Sequence, residues 1–246
     1  MYDIITANLL YTAAKEVGLD PQWLTDYGLF SITYQGKTLY FFYSTSYLND
    51  ELSSYLAKNK HVTRTILDQH SLPNIPYCLP QSLEEAREFL LEHKKIIAKP
   101  TLGSHSQNIR LIALPDRLNE IDLNSSLLEK FIEGEEYRVL VLQDKPIAFH
   151  QKFYTTPIND PEKVKRISYP KEKWNQEMVN LSLRCMKILG LKFGCVDFMI
   201  DKEGKIFILE INSAPGLLRF EQPDQGPKVK IATMFLKETL KKFDLT

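Results

Sequence analysis

The chain has 246 residues, which is enough for one large domain or for two small ones with a sizeable core. Hydrophobic residues make up 43% and charged residues 25%, as is ordinary for a soluble globular protein. The formal net charge of zero gives no global attraction to nucleic acid or anionic membranes, and no stretch approaches the ~20 apolar residues of a spanning helix. Three widely spaced cysteines, none paired at zinc-binding spacing, favour a reduced, cytoplasmic setting.

The first 57 residues combine a helical pattern with an aromatic hairpin. Apolar spacing predicts a helix from Ile4 to Val17, and two strands are predicted around the turn at Gln35-Gly36. The tyrosines and phenylalanines of this hairpin could form a core or stack nucleobases. We interpret them as core, because only Lys37 accompanies them, whereas nucleic-acid binding needs interleaved basic residues.

The next segment has the order helix, helix, strand, loop and strand. The predicted elements are a helix at 59–70, a helix from Ser82 to about His93, and strands at 96–98 and 109–113. Ser82 and Glu85 form a capping box at the start of the second helix. Lys99 lies beside the small polar loop 101–108, which could present backbone amides to a phosphate. Taken by itself, the loop has only Gly103 as a glycine and is better interpreted as a plain surface turn.

The second half of the chain is predicted to be rich in antiparallel strands. The pattern indicates a strand at 125–132, strands at 137–142 and 146–153, a long polar loop at 155–169, a helix at 173–189 and a terminal helix at 229–243. In the second of these strands, Arg138 points away from its apolar neighbours Tyr137 and Val139. It therefore faces either a cleft or solvent.

A further hairpin is predicted between the last two helices. Apolar residues alternate along both arms, and Glu203-Gly204 supplies the turn. With a loop of two or four residues, antiparallel pairing sets Asp197 opposite Glu210 and Met199 opposite Ile208. A three-residue loop with a bulge is expected to break this pairing. Asn212 then shares a face with Glu210.

The facing carboxylates of Asp197 and Glu210 suggest a cation site. Carboxylates that oppose each other in a sheet repel, so the pairing is favourable when a cation lies between them. Together with the amide oxygen of Asn212 they are hard ligands that suit Mg²⁺. A hairpin whose polar residues simply face solvent is the alternative, and the hairpin by itself favours that alternative.

Five motifs in a fixed order connect these pieces over residues 58–246. They are Asn59-Lys60 at a helix start, IIAKP with its small-residue loop, LLEKFIEGEEYRVLV, GLKFGCVDFMI and ILEINSAPGL. The set resembles the ATP-grasp fold and is most similar to the branch of cyanophycin synthetase, glutathione synthetase and ribosomal-protein glutamate ligase. The resemblance implies an α+β fold in which two α+β subdomains, 58–125 and 126–246, clasp ATP. Residues 1–57 would then stand in place of a full preceding substrate domain.

The resemblance also implies roles for single residues. The ATP phosphates would be contacted by Lys60, Lys99, Gly103 and Ser104. The adenine hinge, acting largely through its backbone, would be Glu129, Lys130, Phe131 and Ile132, with Glu136 on the ribose. The metal ligands for Mg²⁺, with Mn²⁺ as an alternative, would be Asp197, Glu210 and Asn212. The catalytic residues near the transferred phosphate and the substrate would be Arg138, Lys152 and Asn212.

Two departures from the family pattern stand out. Relatives commonly have several glycines in the phosphate loop, where this chain has Ser106 and Asn108. Some ATP-grasp ligases carry arginine at the position of Cys195, which we interpret as a small core residue rather than a nucleophile. None of the five histidines lies at a recognisable ligand spacing.

The implied activity is that of an ATP-dependent carboxylate–amine ligase. It would form an amide or peptide bond through an acyl phosphate, and would convert ATP to ADP and phosphate. The expected partners are an amino acid or peptide substrate, with neither nucleic acid nor membrane, and a homodimer is the assembly suggested by relatives. The alternative is a nucleotide-binding protein without ligase turnover. The short N-terminal region and the altered loop favour that alternative, whereas the complete metal triad opposes it.

Overall fold

The computed structural model describes residues 2–45, 47–102, 109–154 and 164–244. The helices are α1 (Tyr2–Glu16), α2 (Glu51–Lys58), α3 (Lys60–Gln69), α4 (Leu83–His93), α5 (Gln176–Leu189), α6 (Leu218–Glu221) and α7 (Ile231–Lys241). The strands are β1 (Gln22–Trp23), β2 (Leu29–Tyr34), β3 (Lys37–Phe42), β4 (Tyr77–Cys78), β5 (Ile96–Pro100), β6 (Arg110–Ile112), β7 (Ser126–Lys130), β8 (Gly134–Leu142), β9 (Lys145–Tyr154), β10 (Val164–Ser168), β11 (Phe193–Asp201) and β12 (Ile206–Asn212). No described helix is both long and apolar enough to cross a membrane.

The strands form three sheets whose neighbouring strands all run antiparallel. Their orders are β1-β2-β3, β4-β7-β5-β6 and β10-β9-β8-β11-β12. This combination of helices with antiparallel sheets confirms the predicted α+β class. The five-stranded sheet carries the predicted metal hairpin, β11 and β12, at one edge.

Helix ends are fixed by the side chains that the sequence indicated. Asn59 caps α3 by accepting from the N–H of Val62 at 3.1 Å, and Ser82 caps α4 by accepting from Glu85 at 3.2 Å. The carboxylate of Glu85 reaches back to the N–H of Gln81 at 2.7 Å, one residue before the usual capping-box partner.

Residues 1–57 share a hydrophobic core with the five-stranded sheet. Side chains of α1, β2 and β3 pack with residues of β8, β11 and α7 in one buried cluster, which includes Leu10, Phe30, Leu140, Phe193 and Phe235. The opposite face of the sheet packs against α5 and against residues of α2 and α3. The N-terminal region is therefore part of the same folded body.

Several elements of the structure differ from the expectations. Helix α2 and the two-residue strands β1 and β4 have no distinct pattern in the sequence. Strand β10 lies inside the segment predicted as a loop, because only Ile167 in it is a large apolar residue next to polar neighbours. In the aromatic hairpin Phe41 is buried as expected, but Tyr40 and Phe42 point outward and are about half exposed.

Strand β7 belongs to the sheet of the first subdomain. Its residues pair with both β4 and β5, so that Glu129 lies opposite Tyr77 on one side and Ile97 on the other. The predicted boundary at residue 125 therefore cuts this sheet, and the change from one sheet to the next comes after Lys130.

The β11–β12 hairpin contains a bulge that the sequence did not reveal. Asp197 pairs with Glu210 as predicted, but Met199 pairs with Phe207 rather than with Ile208. Leu209 is the extra residue on β12, and it shifts the register by one between these two pairs. The N–H of Asp201 donates to the Lys205 carbonyl at 3.1 Å, so the three-residue turn 202–204 closes the hairpin. We expected a three-residue turn with a bulge to break the carboxylate pair, and this was wrong, because the extra residue Leu209 offsets the shift that the turn introduces.

Candidate active site

A buried arginine on α3 anchors the bulge. The Arg64 guanidinium donates to the carbonyl oxygens of Ile208 and Leu209, both at 2.6 Å, and to Glu129 Oε1 at 2.8 Å. It is only 2% exposed. One side chain thus joins α3, β7 and β12, and so fixes the position of the adjacent Glu210. Sequence reasoning missed Arg64, because its partners lie far away along the chain.

The two lysines predicted to contact phosphate lie beside Glu210. Lys99 Nζ is 2.7 Å from Glu129 Oε2, and Lys60 Nζ is 4.0 Å from Glu210 Oε1. Burial raises the pKa of Glu129. The charges of Arg64 and Lys99 lower that pKa by more than burial raises it, so this carboxylate stays ionised. Burial lowers the pKa of Lys99. The nearby Glu129 charge opposes this shift, but the net effect is a lowered pKa. The result is a cationic crevice next to the predicted metal ligand.

Asp197 is the centre of a second buried network, on the five-stranded sheet. Arg138 Nε donates to its Oδ1 at 2.7 Å, Lys152 Nζ lies 3.8 Å from its Oδ2, and the Cys195 thiol donates to Oδ1 at 3.1 Å. Burial raises the pKa of Asp197, but Arg138 and Lys152 lower it more, so the group is an anion. Arg138 therefore faces the site rather than solvent.

The same network explains the state of Cys195. Burial raises the pKa of this thiol well above its ordinary value, and the neighbouring Asp197 raises it further, while Arg138 opposes the shift. A neutral thiol is a poor nucleophile. These surroundings suit the small core residue that the sequence suggested.

Glu136 is engaged by two neighbours on β9. Its carboxylate accepts hydrogen bonds from Lys152 Nζ and from the hydroxyl of Tyr154. It is 7% exposed and pairs across the sheet with Met199. Burial and the Glu136 charge both raise the pKa of Tyr154, so that this hydroxyl keeps its proton and donates.

The predicted hinge, residues 129–132, begins in the last two residues of β7 and continues beyond the strand. The N–H of Phe131 donates to the Lys95 carbonyl at 3.0 Å, whereas the N–H of Ile132 has no hydrogen-bond partner within the described ranges. Beside it lies a small apolar cluster of Ile75, Ile132 and Phe207, on which Met199 and Leu209 pack. Sequence reasoning missed Met199 and Leu209, since the bulge decides which side chains reach this cluster.

The predicted residues therefore assemble in two adjoining groups. Lys60, Lys99, Glu129 and Glu210 form one group; Arg138, Lys152, Glu136 and Asp197 form the other. The paired Asp197 and Glu210 connect them, and Asn212 lies on the same face, opposite Cys195. Gly103 and Ser104, like Ser106 and Asn108, lie outside the described residues.

The donor set fits a hard divalent cation. Asp197, Glu210 and Asn212 offer only oxygen ligands, and Oδ2 of Asp197 makes no hydrogen bond in the described part of the chain. Within those same ranges no group of three His, Cys, Asp or Glu side chains is arranged to hold a metal. Two carboxylates and one amide match an ion that takes its remaining ligands from phosphate and water, as Mg²⁺ usually does.

The part of the chain that holds the site matches a known protein family. A family model described as "ATP-grasp domain" matches residues 57–216, which is well over half of the chain. The chain belongs to the ATP-grasp family. The matched range contains both groups of site residues. It ends at Gly216, four residues after Asn212.

Similar ATP-grasp proteins include ligases of several kinds. The D-alanine–D-alanine ligase of Pelotomaculum thermopropionicum is 27% identical over 196 residues, covering 68% of this chain and 61% of that ligase. This chain thus spans about three fifths of the length of that relative. The bifunctional glutathione synthetase of Pasteurella multocida has a TM-score of 0.71 at 14% identity, over 97% of this chain and 44% of that one. The ATP-grasp ligase PsnB, complexed with minimal precursor, Mg and ADP, has a TM-score of 0.63 at 18% identity, over 79% and 61%.

Proposed function

We propose that this ATP-grasp protein is an ATP-dependent carboxylate–amine ligase that forms an amide or peptide bond through an acyl phosphate. The proposal rests mainly on one observation: Asp197 and Glu210 lie directly opposite each other on β11 and β12, and Lys60 and Lys99 lie beside them. Such a site brings opposite charges to the tail of a triphosphate. The similar proteins that are named ligases support the same reaction class.

The chemistry follows from charge. An attacking carboxylate and the γ-phosphate of ATP are both anions, so the enzyme must neutralise them and hold them in line. Lys60 and Lys99 would bind phosphate oxygens, and Arg138 would stabilise charge at the transferred group. Mg²⁺, held by Asp197, Glu210 and Asn212, would supply further charge neutralisation.

Nucleotide binding would use the segment after β7. The N–H of Ile132 is available to the base, and the apolar cluster with Met199 and Leu209 offers a surface for a flat ring. Glu136 would bind the ribose, exchanging a partner on β9 for a sugar hydroxyl. The hinge role of Glu129 would be confined to its backbone, because its side chain is held by Arg64 and Lys99.

The substrates proposed are an amino acid or peptide on both sides of the new bond. A D-alanine–D-alanine ligase joins amino acids, and the PsnB structure contains a precursor. A homodimer remains a proposal that rests on relatives alone.

The test is release of ADP in the presence of Mg²⁺ and of single or paired amino acids and dipeptides, with mass spectrometry of the product. We expect ADP release to require both Mg²⁺ and a substrate. Asp197→Asn and Glu210→Gln should lower it by at least about 100-fold, because they remove ligand charge at the reacting phosphate. Glu203→Gln, in the exposed turn of the same hairpin, is the matched control. Wild-type turnover in the Asp197 or Glu210 variant would refute the assignment.

A second candidate is nucleotide binding without turnover. The close Arg138–Asp197 ion pair favours it, because that arginine competes with a cation for the carboxylate. In that case ADP or ATP would raise the melting temperature with Mg²⁺ present, yet no amino acid or peptide would stimulate ADP release.

A further inference from the structure

A cluster of basic side chains lies on the same face of the sheet as Asp197. Arg138 on β8 pairs with His150 on β9, and Lys152 on β9 pairs with Arg166 on β10. Residues two apart on a strand share a face, so all four project to one side. Helix α6 covers this side with Arg219 and Phe220; the Phe220 ring centroid lies 5.2 Å from Arg138 Cζ and 4.8 Å from the His150 ring centroid.

Several nitrogens of this cluster have no partner within the described part of the chain. The unpaired atoms, all buried, are Nε of Arg166, Nε of Arg219 and Nε2 of His150. His150 as a whole is only 1% exposed. Buried polar nitrogens normally find an acceptor, so three such atoms in one cluster need an explanation.

The charges of the cluster are also unbalanced. Arg138 is paired with Asp197, and Lys152 with Glu136. Among the described residues, the guanidinium of Arg166 donates only to the carbonyl of Val164, at 3.2 Å. The nearby Asp224 carboxylate instead accepts from the backbone N–H of Arg166 at 2.7 Å. Burial lowers the pKa of Arg166, and the charges of Arg138 and Arg219 lower it further. Such an excess of partly buried positive charge is stabilised by an anion.

We propose that Arg166 and Arg219, next to His150, form a subsite for a carboxylate group of the amino acid or peptide substrate. The planar guanidinium presents paired donors that match a carboxylate. Arg138 connects the two sites, because it pairs with Asp197 and its charge also acts on Arg166. The identity of the anion as substrate rests on the proposed ligase function.

The test observes the arginines directly. In protein labelled with ¹⁵N-arginine, the Nε–H signals of Arg166 and Arg219 are assigned with Arg166→Lys and Arg219→Lys variants. N-acetylalanine, N-acetylalaninamide and inorganic phosphate are then titrated at constant ionic strength. We expect N-acetylalanine to shift both signals, and the amide, which lacks the charge, to leave them in place.

Single variants show whether the two arginines bind the probe together. Arg166→Gln or Arg219→Gln should weaken N-acetylalanine binding about tenfold or more, as seen in the signal of the arginine that remains. Lys165→Gln removes the same charge from an exposed neighbour on the other face of β10 and should change nothing. Melting curves confirm that each variant is folded.

The possible outcomes separate this subsite from the ligase activity. Shifts with N-acetylalanine but no ADP release with any amino acid would keep the anion site and overturn the proposed function. ADP release without any shift, or equal shifts with the amide, would overturn the subsite alone. Stronger binding of inorganic phosphate than of N-acetylalanine would identify a phosphate site and contradict the assignment to a substrate carboxylate.

Discussion

Arg64 illustrates how much a single buried charge can hold in place. Its guanidinium donates to the Leu209 carbonyl in the bulge and to the Glu129 carboxylate, and the residue is only 2% exposed. Arg64→Met would keep most of the volume but leave two carbonyls without their donor and Glu129 with Lys99 alone. We expect a loss of about 3–5 kcal/mol in the free energy of unfolding, measured with urea. Arg184→Met, on the exposed face of α5, should cost no more than about 0.5 kcal/mol; equal losses in the two variants would contradict this role.

His150 makes stability depend on pH. Burial, together with the Arg138 charge from β8 and the Arg166 charge from β10, lowers its pKa to about 4. The ordinary value is about 6.5, so on acidification the unfolded chain takes up a proton before the folded one does, and stability falls as pH drops from 6.5 towards 4. Between pH 7 and pH 4.5 this one group should account for about 2 kcal/mol of the loss. His150→Gln should show a correspondingly flatter profile in urea titrations; an unchanged slope would rule out a neutral buried His150.

At the residue scale, the sequence predicted which side chains lie on the site but not how they are paired. Asp197 does lie opposite Glu210 as predicted, but only because the bulge at Leu209 offsets a turn that the sequence did not reveal. Arg64, by contrast, bonds to Glu129, Ile208 and Leu209, which are 65 to 145 positions away in the chain. No local period encodes contacts of that separation. Arg166 and Arg219 were missed for the same reason.

At the element scale, the glycine that begins β8 and the glycine in the β11–β12 turn are needed for different physical reasons. A Cβ on Gly134 would lie 1.9 Å from the Ile200 carbonyl oxygen, whereas at Gly204 it would meet nothing within 4 Å, although φ there is +83°. Gly134→Ala should therefore cost about 2–3 kcal/mol through displacement of β8 from β11, and Gly204→Ala about 1 kcal/mol through backbone strain alone. Urea denaturation of both variants measures the two costs, and the reverse order would contradict the assigned geometry.

Elements with a strong period were predicted well, and short ones were not. The caps of α3 and α4 and most strands of the five-stranded sheet follow from local spacing. The bulge at Leu209 and strand β10 do not, because each depends on a neighbouring strand or on Arg64 to satisfy its backbone. Both features shape the site, so its finer geometry was hidden for the same reason.

At the scale of the whole molecule, the N-terminal region and the five-stranded sheet should unfold as one unit. Trp23 lies in the N-terminal region, and Trp174 packs on the opposite side of the sheet from the shared core. Because the core joins α1, β2 and β3 to β8 and β11, single-tryptophan variants Trp23→Phe and Trp174→Phe should report the same urea midpoint relative to circular dichroism. Separate fluorescence midpoints would show that residues 1–57 fold independently.

The central claim is that one face of the β11–β12 hairpin holds a divalent cation beside a nucleotide. Its most direct test is a titration of Mn²⁺ with ADP present, in which electron paramagnetic resonance measures the free ion. We predict that the wild-type chain and Glu203→Gln bind Mn²⁺ alike, while Asp197→Asn and Glu210→Gln bind it at least about tenfold more weakly. Unchanged affinity in these two variants would contradict the account.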